Sequence, residues 1–301
     1  MDVSAYLSGF DRAERIKKGM AGDEKYHLWR GGEEFLLRIA DGEDYDEKKR
    51  EFEHLKRLNE AGLPVPKCCA FFRSDDGAKA VTLLSWIPGE DLEDRISKLY
   101  PDAQYALGRQ AGEILRRIHE TCPVQDGARD WQDRYFETIR PRLDAYQNEG
   151  IPFDGADRIL RFIEENGQLM HSRPMCRHHG DFHTGNLIVK DGRLWVIDWH
   201  TMDFESVGDP WYEFNRIDAG HPAFARGQID GYFPGGVPDE FWRLFALYLS
   251  VSAITSIVWA KYFAPQELPR ILRLNKSVLQ LFDGMENPIP KWYRSKEWVK
   301  G

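Results

Sequence analysis

The chain has 301 residues, 42% of them hydrophobic, and a formal net charge of −8 from 49 Asp and Glu against 41 Lys and Arg. That length buries a sizeable core and suits one large domain or two lobes, while the acidic balance argues against a nucleic-acid binder, which needs clustered Lys and Arg. The four cysteines, Cys68, Cys69, Cys122 and Cys176, lack C-x-x-C spacing, so reduced thiols and a cytoplasmic setting are expected.

The start, MDVSAYLSGFDRAERIKK, has no basic head followed by an apolar run, and no signal peptide is expected. RIKKGMAGDEKYHLWRGGEEFLLRIAD divides into three β-prone runs at glycine turns, which predicts an antiparallel meander. In DEKKREFEHLKRLNEAGLPVP, Phe52, Leu55 and Leu58 recur at helical spacing until Gly62 and Pro64 stop the helix. KCCAFFRS and AKAVTLLSW follow as strands, so the order β-β-β-α-β-β predicts a five-stranded sheet with one helix. Past Gly89 the pattern turns helical. Leu107, Ala111, Ile114, Leu115 and Ile118 form one stripe, and further helices are expected near 132–147, 155–169, 209–218, 238–262 and 267–283. Leu244 to Ala260 is the longest apolar run, but three serines, a threonine and its shortness predict a buried helix and no membrane span. The expected division is a first lobe over 1–87 and a second over 88–301.

One stretch interrupts the helices: RHHGDFHTGNLIVKDGRLWVIDWH, from Arg177 to His200. Its Asp-Gly turn predicts a hairpin. Asp181 and Asn186 then enter the first strand and Asp198 ends the second, so hard oxygen ligands gather at one end, a set suited to Mg²⁺ with substrate phosphates. Phosphoryl transfer in protein kinases uses an Asp to orient the attacking hydroxyl, an Asn five residues on, and a second Asp across a hairpin. His179-Gly180-Asp181, Asn186 and Asp198 repeat that spacing.

With HGDFHTGN, VIDW and GDPWYEF together, the sequence resembles the aminoglycoside phosphotransferase family of protein-kinase-like small-molecule kinases. The resemblance implies an α+β fold of two lobes, a small five-stranded sheet with one helix and a larger, mostly helical lobe. It also implies Asp181 as catalytic base, Asn186 and Asp198 as Mg²⁺ ligands, and His179 as loop support. Arg38 takes the place of the usual strand-three Lys, with Glu51 as its helix partner; Gly19 and Gly22 shape the phosphate-covering turn, where Ala21 replaces a common Ser. Main-chain groups of Ser85 and Ile87 would meet the nucleotide base. Asp209 reads as a helix cap before Pro210.

Asp203, Glu205, Glu213 and Asp218 crowd the region after Asp198 and would favour a cationic substrate. The expected activity is transfer of the γ-phosphoryl group of ATP or GTP to a hydroxyl of an aminoglycoside-like antibiotic or amine-bearing metabolite, antibiotic resistance being one setting for it. Two alternatives stay open at this point. One is a zinc hydrolase built on His178, His179, Asp181, His183 and His200; the other is a catalytically weak nucleotide-binding protein, which Ala21 and Arg38 would permit.

Overall fold

The computed structural model describes residues 4–17, 23–124, 129–149, 151, 153–199 and 207–295. A short helix α1 (Ser4–Leu7) precedes strands β1 (Arg12–Ile16), β2 (Glu24–Arg30) and β3 (Glu33–Asp41), helix α2 (Tyr45–Glu60), and strands β4 (Cys68–Arg73) and β5 (Lys79–Ser85). A two-residue strand β6 (Glu90–Asp91) leads into α3 (Leu92–Ile96), followed by α4 (Pro101–Thr121), α5 (Trp131–Glu149), α6 (Ala156–Asn166) and β7 (Cys176–Arg177). The chain continues through β8 (Leu187–Lys190), β9 (Arg193–Val196), β10 (Val207–Gly208), α7 (Pro222–Tyr232), α8 (Asp239–Phe263), α9 (Leu268–Leu281) and α10 (Lys291–Arg294). It separates into two compact units, Met1–Ser97 with Thr184–Met202, and Lys98–His183 with Asp203–Gly301. The division expected at residue 87 lies inside the first of these, and the hairpin segment joins that unit.

In the first unit the expected order β-β-β-α-β-β is present, as an antiparallel sheet ordered β1-β2-β3-β5-β4. Alternation sorts its side chains. Leu28, Phe35, Leu37, Ile39 and Val81 fill one face, with Tyr6, Leu7 and Phe10 packed on them. The opposite face therefore carries the residues between them: Lys25 opposite Arg38, His27 opposite Leu36, and Leu36 opposite Leu84. The hairpin β8–β9 turns at Asp191 and Gly192, with φ of 51° and 72°, the two left-handed positions of a type I′ turn. Its strands form a second sheet ordered β6-β8-β9, and the Val196 amide donates to the Pro64 carbonyl at 2.9 Å. Gly89 lets the chain pass close to this hairpin, since a Cβ there would sit 2.6 Å from the Val189 carbonyl oxygen.

The second unit is built on α8, whose apolar run fills a core with Trp131, Tyr135, Ile139, Ile159 and Met170. Of the described helices, α8 alone is long and apolar enough to cross a membrane, and 78% of its apolar window is buried inside the protein, as the serines and threonine predicted. A buried polar chain crosses this core. Trp131 Nε1 donates to Tyr248 Oη at 2.8 Å, Tyr248 donates to Asp209 Oδ2 at 2.8 Å, and Arg173 Nε donates to the same oxygen at 2.9 Å.

Apart from the short helices α1, α3 and α10, two helical segments differ from expectation. The segment expected as a helix over 209–218 is a 3-10 stretch, Pro210–Arg216, and α7 was not anticipated. For α7 the reason is glycine, which weakens a helix pattern in sequence. Gly227 and Gly231 on α7 and Gly108 and Gly112 on α4 let two backbones touch: a Cβ on Gly112 would lie 2.0 Å from the Gln228 carbonyl oxygen, and one on Gly227 2.3 Å from that of Tyr105.

Candidate active site

The loop before the hairpin takes its shape from glycine and one buried carboxylate. Gly180 has φ of 91°, a left-handed conformation that explains glycine between His179 and Asp181. Beneath the loop, Glu213 accepts the Gly180 amide on Oε1 at 2.8 Å and the His179 amide on Oε2 at 3.1 Å. The same Oε2 lies 2.8 Å from His119 Nε2, and His119 Nδ1 lies 2.9 Å from the Tyr232 hydroxyl. Glu213 is 3% exposed. Burial alone would raise its pKa, but the hydrogen bond with His119 and the neighbouring His178 and His179 outweigh burial and hold it down at about 2.

Glu213 therefore does not belong to a substrate groove, as its sequence neighbourhood suggested. Its oxygens are spent on the loop that presents Asp181. Asp209 is likewise fully buried; it caps the 3-10 turn through the Trp211 amide at 3.0 Å, as expected, while also binding Arg173 and Tyr248. Asp218 is half-buried, 2.7 Å from His221 Nδ1. Asp203 and Glu205 lie outside the described residues.

Asp181 itself is half-exposed at the end of this support. Its Oδ2 lies 3.2 Å from His183 Nε2 and its Oδ1 3.6 Å from Arg216 Nε. The His183 hydrogen bond, opposed by partial burial and assisted by the charges of His183, Arg216 and His179, holds its carboxyl below the ordinary range. An aspartate so held stays ionised at neutral pH. It is suited to accept a hydrogen bond from a substrate hydroxyl and orient it, more than to act as a strong base.

In the first unit, Asn186 and Asp198 occupy the open end of the hairpin, where the Ile197 amide donates to the Asn186 carbonyl at 3.0 Å. Asp198 has φ of 60°, an uncommon conformation for a residue with a side chain. Trp199 holds the turn: it is buried, its Nε1 donates to the Val196 carbonyl at 3.2 Å, and its ring meets that of His54 on α2. Asn186 is buried and Asp198 one-third exposed, so the pair offers one amide oxygen and one carboxylate. That hard-oxygen donor set fits Mg²⁺ completed by water and phosphate oxygens.

The face of the sheet carrying Lys25 and Arg38 holds a compact group of charges. Arg38 Nη1 lies 3.5 Å from Glu51 Oε2, so strand β3 and helix α2 do bring that pair together. Three further residues complete the group. Asp23, immediately before β2, takes Arg38 Nε at 2.8 Å and Nη2 at 2.5 Å, while Lys48 Nζ sits 3.5 Å from Asp23 and 3.3 Å from Glu51. Lys25 Nζ stands 3.7 Å from Asp198 Oδ1. Lys48 was legible in principle, being three residues before Glu51 on one helix face; Asp23 was not, since only the strand register brings it to Arg38. Burial raises the Glu51 carboxyl against the pull of Arg38 and Lys48, whereas for Asp23 the same cations outweigh burial and lower it.

At the expected hinge, the Ser85 amide donates to the Lys67 carbonyl at 2.9 Å and the Trp86 amide to the Glu34 carbonyl at 2.9 Å. Trp86 stacks on His27 with ring centroids 3.8 Å apart. Gly19 and Gly22 lie outside the described residues. The histidine-cluster alternative finds no support: among the described residues no three His, Cys, Asp or Glu side chains group to hold a metal ion. His179 is buried on the Phe182 ring, and His200 lies outside the described residues.

A model of the phosphotransferase enzyme family matches residues 12–242. A search of curated proteins found none that matches the sequence. Among solved structures, the GDP complex of an aminoglycoside 2'-phosphotransferase is similar, with a TM-score of 0.66, 14% identity, and coverage of 94% of this chain and 97% of that one. The gentamicin complex of APH(2")-IIa gives a TM-score of 0.60 at 18% identity, covering 96% and 99% of the two chains. A thermostable mutant of aminoglycoside phosphotransferase APH(4)-Ia, in ternary complex with ADP and hygromycin B, gives 0.63 at 15% identity, covering 92% and 96%. These likenesses establish the two-lobed, protein-kinase-like fold, and with most of its length matched by the family model, the chain belongs to the phosphotransferase enzyme family, enzymes that transfer phosphate to hydroxyl acceptors.

Proposed function

We propose that the protein transfers the γ-phosphoryl group of ATP or GTP to a hydroxyl of a small, amine-bearing molecule, by direct in-line displacement. The observation that carries this reading is the HGD loop. A half-exposed, ionised Asp181 is held in place from beneath by the buried Glu213 through the His179 and Gly180 amides.

In this reading Asp181 accepts a hydrogen bond from the attacking hydroxyl and fixes its direction, and takes the proton as the new bond forms. Transfer through a loose transition state needs positioning and charge neutralisation more than a strong base. Asn186 and Asp198 are the residues that would hold Mg²⁺, which when bound neutralises charge on the phosphate oxygens. Arg38, anchored by Glu51, is the nucleotide-side cation, and its fork suits two phosphate oxygens at once. With the Ser85 and Trp86 amides spent within the fold, the Ile87 amide is the hinge donor for the base, beside the His27–Trp86 stack.

A cationic acceptor is supported less by the acids after Asp198 than their number suggested, since Asp209 and Glu213 serve the interior. The half-buried Asp218, the acids at 203 and 205, and the hygromycin B and gentamicin bound by two structural relatives support it. The test is a nucleotide-consumption screen with Mg²⁺ against aminoglycosides, macrolides and amine-bearing metabolites. Consumption that depends on an added alcohol supports the reading; consumption unaffected by every acceptor counts against it.

A further inference from the structure

The charged group on the sheet face contains one acid that the proposed reaction does not use. Glu51 anchors Arg38 and Asp198 is a metal ligand in that reading, but Asp23 has no such task, although its side chain is only 6% exposed and touches two cations. Its contact with Arg38 has the form of a bound phosphate oxygen: Nε and Nη2 both converge on Oδ2, while Lys48 Nζ approaches Oδ1. Arg forks grip carboxylate and phosphate in the same way. Three cations, Lys25, Arg38 and Lys48, then face three carboxylates, Asp23, Glu51 and Asp198. The group holds as many carboxylates as cations as it stands, and carries one excess cation when Asp23 withdraws.

Asp23 is also placed to withdraw. It precedes β2, whose first ladder pair is Glu24 with Ile39, so its backbone is outside the sheet register while its side chain reaches in.

We propose that Asp23 is an internal stand-in for the polyphosphate of the nucleotide: its carboxylate occupies Arg38 and Lys48 in the free protein and is displaced by the phosphates on binding. This rests on the nucleotide-dependent reading above. Asp23 is thus a competitor built into the site, setting nucleotide affinity below what the cations would otherwise give. It also keeps a cluster of three neighbouring cations from repelling one another before the nucleotide arrives.

The test is calorimetric titration of the full chain, wild type and Asp23→Asn, with ATP, GTP and the corresponding nucleosides in Mg²⁺. Removing one competing charge should lower the Kd for the triphosphate by about tenfold, the equivalent of a single ion-pair difference, and leave nucleoside binding unchanged. If Asp23 instead holds Arg38 in position for the phosphates, Asp23→Asn will weaken triphosphate binding, and unchanged binding is equally contrary to displacement; either overturns the proposal. Wild type that binds neither triphosphate would instead defeat the nucleotide-dependent reading itself. An independent arm uses wild type alone: the Asp23 carboxyl carbon resonance should move on adding the triphosphate and stay put with the nucleoside, and an immobile resonance at saturation would overturn displacement even if the variant failed to fold.

Discussion

Glu213→Gln separates support of the loop from chemistry. The wild-type carboxylate accepts from three donors, the His179 and Gly180 amides and His119 Nε2, and is held at a pKa of about 2 against an ordinary value of 4.5. A carboxylate with a folded pKa below its unfolded one stabilises the fold fully above about pH 4.5, and gives that up as pH falls toward 2. That depression corresponds to about 3 kcal/mol at neutral pH. Glutamine keeps the size but offers one acceptor oxygen and presents an N–H to at least one donor, so it forfeits a similar amount. Urea denaturation followed across pH should show a stability gap of about 3 kcal/mol at pH 7 that closes toward pH 2. Because the loop would lose its anchor, turnover should fall about 10–100-fold, the cost of an ångström-scale misplacement, with nucleotide affinity unchanged. A variant equal to wild type in both stability and turnover would refute the role assigned to Glu213.

Other consequences follow from the same geometry. Asp181→Asn removes the group that orients the hydroxyl, and should lower turnover by about 10²-fold or more while triphosphate Kd stays within twofold; steady-state kinetics beside calorimetry decide it. Asp198→Ala should weaken triphosphate binding about tenfold in the presence of Mg²⁺ and hardly at all in its absence, because only the metal-dependent part is lost. Gly112→Ala should destabilise by about 2 kcal/mol although alanine favours helices, since its Cβ would meet the Gln228 carbonyl oxygen at 2.0 Å; a stabilised variant in thermal melts would mean that α4 and α7 are not in backbone contact.

What the sequence made legible was local pattern and spacing. The alternating runs before Asp41, the Asp191-Gly192 turn and the serine-broken α8 each stand where the periodicity put them. The interval from Asp181 through Asn186 to Asp198 carried the family resemblance. The rest depended on what meets what across the chain. Helix α7 was hidden because the glycines that let it touch α4 are the residues that argue against a helix in sequence. Glu213 looked like a groove acid because a carboxylate in the first turn of a helix reads the same whether it faces solvent or an amide. Asp23 gave no signal at all: its partner Arg38 lies fifteen residues away, and only the pairing of β2 with β3 joins them.

Phosphoryl transfer to a small-molecule hydroxyl is tested by following the label of γ-³²P-ATP and γ-³²P-GTP into a panel of amine-bearing alcohols, wild type beside Asp181→Asn. Wild type with Mg²⁺ should give a labelled, amine-bearing product, and the variant should reduce label in that product by about 10²-fold or more. Label released only as inorganic phosphate, or transferred equally by both proteins, would contradict it.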